Sequence, residues 1–166
     1  MNGSASPDKT ASEIAPELLV QMLHGSHTPA ECLGISRATL YRIAHVGYRL
    51  LCAGRLEQAR QIYEGLVAAD PRDSVFHCHL GAVYFRLGWW EKARAEFNQS
   101  LAANPCNIEA LAGRGEIALI QQRFAAAWAD LAQAIRLDPN VAKAASCRAR
   151  TLLLTLQQAA TKPSAF

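Results

Sequence analysis

No stretch of the 166-residue chain stays apolar long enough to span a bilayer as a helix, although 51% of its residues are hydrophobic. Direct membrane insertion is therefore not expected, and the apolar residues belong to a packed interior. The opening residues, Met1 to Glu13 (MNGSASPDKTASE), have neither the basic start nor the apolar centre of a secretory signal, which points to the cytoplasm. Cys32, Cys52, Cys78, Cys106 and Cys147 are odd in number and contain no CxxC pair, so neither a disulfide framework nor a zinc knuckle is expected. A glycine-rich phosphate loop, a GxSxG elbow and an HExxH pair are also missing. With no nucleophile and base to pair, the expectation is a protein that is not an enzyme and carries no cofactor.

Two weaker clusters give no metal site. His77, Cys78 and His79 are adjacent, and adjacent helical positions point in different directions, so the three cannot converge on one ion. His24, His27 and Cys32 offer three ligands at a non-standard spacing, within a segment (His24 to Leu33) that reads as a loop. An excess of one charge is lacking too. Seventeen basic residues face fourteen acidic ones for a net charge of +3, and the thirteen arginines are scattered, so nucleic acid is not an expected partner.

What the chain does have is internal repetition. Four residue columns return every 34 positions: Gly47, Gly81 and Gly115; Ala59, Ala93 and Ala127; Tyr63, Phe97 and Leu131; Pro71, Pro105 and Pro139. A unit of this length is a pair of antiparallel helices that cannot bury its apolar faces alone, so units stack. The repeats run over 40–73, 74–107 and 108–141. Glycine and alanine mark the places where helices come closest. Gly54 and Gly88 fall just past the first helices, where a left-handed residue ends a helix at little cost, and Gln122 takes that place in the third unit. Asp70-Pro71, Asn104-Pro105 and Asp138-Pro139 close the second helices, with Asp73 or Ser74 as the next cap and Ser36 as the first. Arg114 stands at a position that is usually buried, so it needs an acidic partner or a route to solvent. Of the tryptophans after Gly88, Trp90 is expected between helices and Trp89 on the surface.

Flanking segments complete this picture. Residues 142–160 read as a closing helix with Leu152, Leu153 and Leu156 near its end. Residues 1–35 read as a flexible start followed by an amphipathic helix from Ile14 to Leu23, whose face carries Ile14, Leu18, Leu19, Met22 and Leu23. The domain of stacked helices then covers 36–160. That apolar face has no partner within the repeats, which makes these five residues candidates for self-association.

The repeat VGYRLLCAGRLEQARQIYEGLVAADP and the next one, LGAVYFRLGWWEKARAEFNQSLAANP, resemble the tetratricopeptide consensus. The resemblance implies an all-α, right-handed superhelical solenoid of three helix pairs, with an N-terminal helix and a C-terminal capping helix. It also implies a concave groove lined by the first helices. In the first repeat the groove positions hold Tyr41, Ala44, Tyr48, Leu51 and Cys52; in the second, Val75, Cys78, Ala82, Phe85 and Arg86. The third contributes Glu109, Ala112, Glu116, Leu119 and Ile120. Mostly apolar rows of this kind suit an extended peptide that inserts large side chains into pockets. The clamp that holds a C-terminal carboxylate in chaperone-binding members is missing, since Ala44, Tyr48, His79, Glu109 and Gly113 stand at its positions.

The whole chain, from the amphipathic helix through Gly34-Ile35-Ser36 and three repeats to one closing helix, resembles the class II chaperones of bacterial type III secretion, the SycD/LcrH family. That resemblance implies a cytoplasmic, homodimeric chaperone holding an apolar segment of secreted hydrophobic translocator proteins in its groove. The alternative is a general tetratricopeptide scaffold for assembling other proteins.

Overall fold

In the computed structural model, residue 20 and residues 24–161 are described. They form a short helix α1 (Pro29–Cys32), three helix pairs and a closing helix. The pairs are α2 (Arg37–Cys52) with α3 (Leu56–Ala69), α4 (Ser74–Arg86) with α5 (Trp90–Ala103), and α6 (Ile108–Ile120) with α7 (Phe124–Leu137). The closing helix α8 spans Ala144–Thr161. Among the described residues there is no strand, and the architecture is the all-α superhelical solenoid. Ile14, Leu18, Leu19, Met22 and Leu23 lie outside the described residues.

Local chemistry sets the helix ends. Ser36, Asp73 and Asn107 cap α2, α4 and α6 by accepting hydrogen bonds from backbone amides of the first turn. The second helices begin without a side-chain cap. The tight turn before each of them instead passes through one left-handed residue: Gly54 at φ 76°, Gly88 at 77° and Gln122 at 57°. Glycine adopts this conformation without a Cβ clash, whereas Gln122 holds it under strain.

The glycine and ring columns interlock within each pair. A Cβ placed on Gly47 would stand 2.9 Å from the Tyr63 ring, one on Gly81 2.8 Å from Phe97, and one on Gly115 2.8 Å from Leu131. Phe97 is gripped from its other side as well, since a Cβ on Gly113 of the next unit would meet it at 2.5 Å. Ala59, Ala93 and Ala127 are fully buried in the same contact. These close approaches let the two helices of a unit pack at backbone distance while burying a large side chain between them. Of the two outcomes open to Arg114, the structure has the acidic partner: Asp130 accepts from its Nε and Nη2 at 2.8 and 2.7 Å, and Asn98 accepts from Nη1 at 2.8 Å.

The closing helix follows the same register. α8 packs against both α6 and α7, and Ala149, one 34-residue step beyond Gly115, is fully buried. It therefore takes the place of a fourth first helix and shields the end of the stack. At the other end, the segment read as a loop contains α1. Thr28 accepts from the Glu31 amide at 3.2 Å while the Glu31 carboxylate accepts from the Thr28 amide at 2.7 Å. Thr28-Pro29-Ala30-Glu31 is a capping box with proline at the first helical position, a signal present in the sequence.

Two glycine substitutions test this packing in opposite directions. Gly81→Ala forces a methyl group into Phe97 and is expected to cost about 1–3 kcal/mol in urea unfolding. Gly65→Ala, exposed within α3 with nothing within 4 Å of the new Cβ, is expected to gain up to about 1 kcal/mol.

Candidate functional site

The first helices α2, α4, α6 and α8 touch one another in sequence, whereas α3, α5 and α7 make no direct contact with each other. The layer with the closer neighbours has the shorter arc, so the first helices form the inner, concave wall. Its accessible aromatic groups come from α2: Tyr41 is 36% and Tyr48 48% exposed. Cys52, Arg86, Glu109 and Ile120 are also exposed, and Val75, Ala82, Phe85, Glu116 and Leu119 are half-buried.

Four expected groove positions lie beneath this surface. Ala44, Leu51, Cys78 and Ala112 are all buried. Ala44, Cys78 and Ala112 share one repeat position and sit where successive first helices approach, so they are floor and not wall. Burial pushes the Cys78 thiol up to about 12, which keeps it protonated and inert.

Polar ties hold the inner helices in place. The Tyr41 hydroxyl donates to Asp73 Oδ2 at 2.9 Å and its ring lies 5.3 Å from that of Phe76. Asp73 Oδ1 meanwhile accepts from the amides of Val75 and Phe76, so the cap of α4 is fastened to α2. Arg86 reaches back to donate to the Leu51 carbonyl at the C-terminal end of α2. Glu116 faces Arg148 of α8 at 3.4 Å. Tyr48 is less constrained: its ring lies 5.6 Å from His79, and the Cys52 thiol one turn on holds its phenol above the ordinary value. The inner wall thus carries its exposed aromatic groups on α2 and two acidic groups, Glu109 and Glu116, on α6, with Arg148 of α8 beside Glu116.

Residues 50–117 match the family model of the tetratricopeptide repeat. That span takes in the whole of the second unit and parts of the first and third. Among curated relatives, the chain is 35% identical over 65 residues to a tetratricopeptide-containing thioredoxin of Arabidopsis thaliana, covering 39% of this chain and 10% of that protein. It is 32% identical over 130 residues to cellulose synthase operon protein C of Komagataeibacter xylinus, covering 74% of this chain and 9% of that protein. The chain thus spans about a tenth of the length of the curated relatives it matches.

Solved structures match over more of their length. A type III secretion complex from Aeromonas hydrophila superposes with a TM-score of 0.75 at 20% identity, over 90% of this chain and 100% of that one. The translocator chaperone SycD of Yersinia enterocolitica gives 0.70 at 23% identity, over 78% and 98%. SycD in complex with a peptide of the translocator YopD gives 0.66 at 23% identity, over 75% and 96%. At these identities the likeness establishes the shared fold.

Outside the groove, both tryptophans at the turn between the helices of the second tetratricopeptide unit are on the surface. Trp89 stacks 5.6 Å from Tyr84 with the Lys92 ammonium 4.7 Å from its ring centre. Trp90, expected between helices, is 42% exposed, because it opens α5 at the rim, where it is left half open to solvent. The corresponding Phe124 and, one turn later, Trp128 are 57% and 44% exposed. Among the described residues no helix is long and apolar enough to cross a membrane.

His77, Cys78 and His79 diverge as adjacent helical residues must. Cys78 turns into the floor, and His79 lies between the rings of Tyr48 and Tyr63, where burial lowers its pKa. His77 is 5% exposed, with Nδ1 2.7 Å from Glu96 Oε2 and Nε2 2.9 Å from the Pro71 carbonyl. Both nitrogens face acceptors, so the doubly protonated ring satisfies both by donating. Its bond to Glu96 raises the pKa most, and the nearby Asp73 charge adds to that. A raised folded-state pKa stabilises the fold fully below the unfolded value of about 6.5 and is lost as pH rises through the folded value. Urea unfolding from pH 5.5 to 9 is expected to show stability falling above about pH 6.5. His77→Gln should flatten that slope.

Proposed function

We propose that this chain is a non-enzymatic chaperone that holds an extended apolar segment of a secreted translocator protein along the inner wall of its tetratricopeptide solenoid. A homodimer and a cytoplasmic location belong to the same reading. The observation that carries it is the accessible aromatic row on α2, with Tyr48 48% exposed over a floor of small buried residues, in a fold shared with SycD bound to a YopD peptide. Tyr41, Tyr48, Phe85, Ala82 and Leu119 would receive the apolar side chains. Glu109 would favour a Lys or Arg where the segment crosses α6 and disfavour a terminal carboxylate there, while Glu116 is already matched by Arg148.

The expected affinity is modest. Burying an apolar anchor is worth about 1.5–3 kcal/mol, and the cost of ordering the segment is subtracted from the sum of a few such anchors. Micromolar binding follows, which suits cargo that is later handed on.

A general scaffold is the second reading, favoured by Trp90, Phe124 and Trp128 standing exposed outside the groove. Affinity purification from the native host, read by mass spectrometry, separates the two. The chaperone reading expects a membrane-active secreted protein whose recovery drops at least several-fold with Tyr48→Ala plus Phe85→Ala, the circular dichroism staying helical. Loss instead with Trp90→Ala plus Phe124→Ala, and none with the groove pair, would favour the scaffold. For a captured segment carrying a Lys or Arg, Glu109→Lys is expected to weaken binding several-fold by titration calorimetry, more at low salt than at high.

A further inference from the structure

The first helices carry a second recurring face, turned in part toward the second helix of the preceding unit, and the first repeat leaves it open. On α4 this face is His77, Leu80 and Tyr84, which are 5%, 2% and 7% exposed. It packs toward the preceding unit, as the Tyr84 hydroxyl shows by donating to Glu64 of α3 at 2.8 Å. One step on, Leu111 and Ala118 of α6 are buried and Arg114 bonds to Asn98 of α5. The equivalent residues of α2 are Ile43, Val46 and Leu50. Ile43 is 42% and Val46 51% exposed, and Leu50 is half-buried. The later units fill this place with the second helix of the unit before. No described helix fills it on α2.

We propose that residues 14–23 of the same chain dock as a helix along Ile43, Val46 and Leu50, in the place of that missing second helix. Ile14, Leu18, Leu19, Met22 and Leu23 fall on one side of a helix. Val20, which is helical and 50% exposed, falls on the opposite side of it, as a docked helix requires. The described chain also starts in the right place. The Gly25 carbonyl meets Arg72 at 3.5 Å, and Glu31 pairs with Arg72 at 3.1 Å. Arg72 lies in the turn after α3, at the end of the first unit where α2 begins. From there a ten-residue helix reaches about 15 Å, and the strip from Ile43 to Leu50 is about 10 Å long.

Tethering decides between this chain and a second copy. A strip three residues long buries far less than the roughly 1,200 Å² that a stable association of separate chains takes. A segment held by the few residues before α1 works at an effective concentration on the order of millimolar. The resemblance gives the same five residues to self-association, and the experiment separates the two assignments.

Thermal unfolding of the full chain is measured for Val46→Ser, Leu19→Ser and the double variant across a hundredfold range of protein concentration. Each single change is expected to lower Tm by about 3–6 °C, the pair by little more than one of them, at every concentration. In a background with the native cysteines replaced by alanine, Leu19→Cys with Val46→Cys is expected to oxidise to a product of single-chain mass. Val46→Ser without effect on Tm, strictly additive losses, a coupling that disappears on dilution, or a disulfide-linked dimer as the main product would each overturn the proposal.

Discussion

The contact between a glycine on one helix and a ring or leucine on its partner sets the geometry from which the rest of the molecule follows. Gly47 against Tyr63, Gly81 against Phe97 and Gly115 against Leu131 leave no room for a Cβ, so each hairpin has one allowed spacing. Gly113 extends the contact across the unit boundary by gripping Phe97 from the far side. With spacing fixed inside and between units, neighbouring hairpins have little freedom in how they stack, and a curved inner wall results. The closing helix keeps the register by burying Ala149 where the glycine column would continue.

That wall is built in two levels. Small side chains at one repeated position, Ala44, Cys78 and Ala112, allow the first helices to approach and are covered in doing so. Larger groups at neighbouring positions stand above them. The polar ties from Tyr41 to Asp73, from Arg86 to Leu51 and from Glu116 to Arg148 each join one inner helix to the next. They hold the wall's curvature without closing it, and they leave Tyr48 as the aromatic group least committed to the fold. A preformed surface of this kind spends little free energy on its own ordering when a partner arrives, so most of the ordering cost falls on the partner.

The outer rim and the first face of α2 have a different origin. Ile43 and Val46 have equivalents, His77 and Leu80, that are covered in the next unit, whereas Trp90 and Phe124 share one repeat position and are open in both of their units. Trp90, Phe124 and Trp128 open at the turns, and Ile43 and Val46 open at the start of the stack. In a quasi-one-dimensional fold, exposed apolar residues concentrate at ends and edges because each unit is covered only by the next.

Much of this was legible from residues alone. Small-residue columns at a constant 34-residue step, proline closing each second helix, Ser36 and either Asp73 or Ser74 as caps, and an acidic partner or a route to solvent for Arg114 all depend on local spacing or on the penalty for an unpaired charge. Thr28-Pro29-Ala30-Glu31 carried its capping box in plain view, although its surroundings read as a loop. Depth was different. Whether Ala44 and Ala112 line the groove or lie under it, whether Trp90 is packed, and that Ile43 stays open while Leu80 is sealed depend on which helix lies alongside. Sequence by itself determined the repeat unit and its packing columns, because helix periodicity and close backbone contact act within some 34 residues. Only the tertiary structure decided which equivalent side chains face a neighbour and which face water, because burial depends on the stacking of separate units and identical spacing leads to opposite exposure at the middle and at the end of the stack.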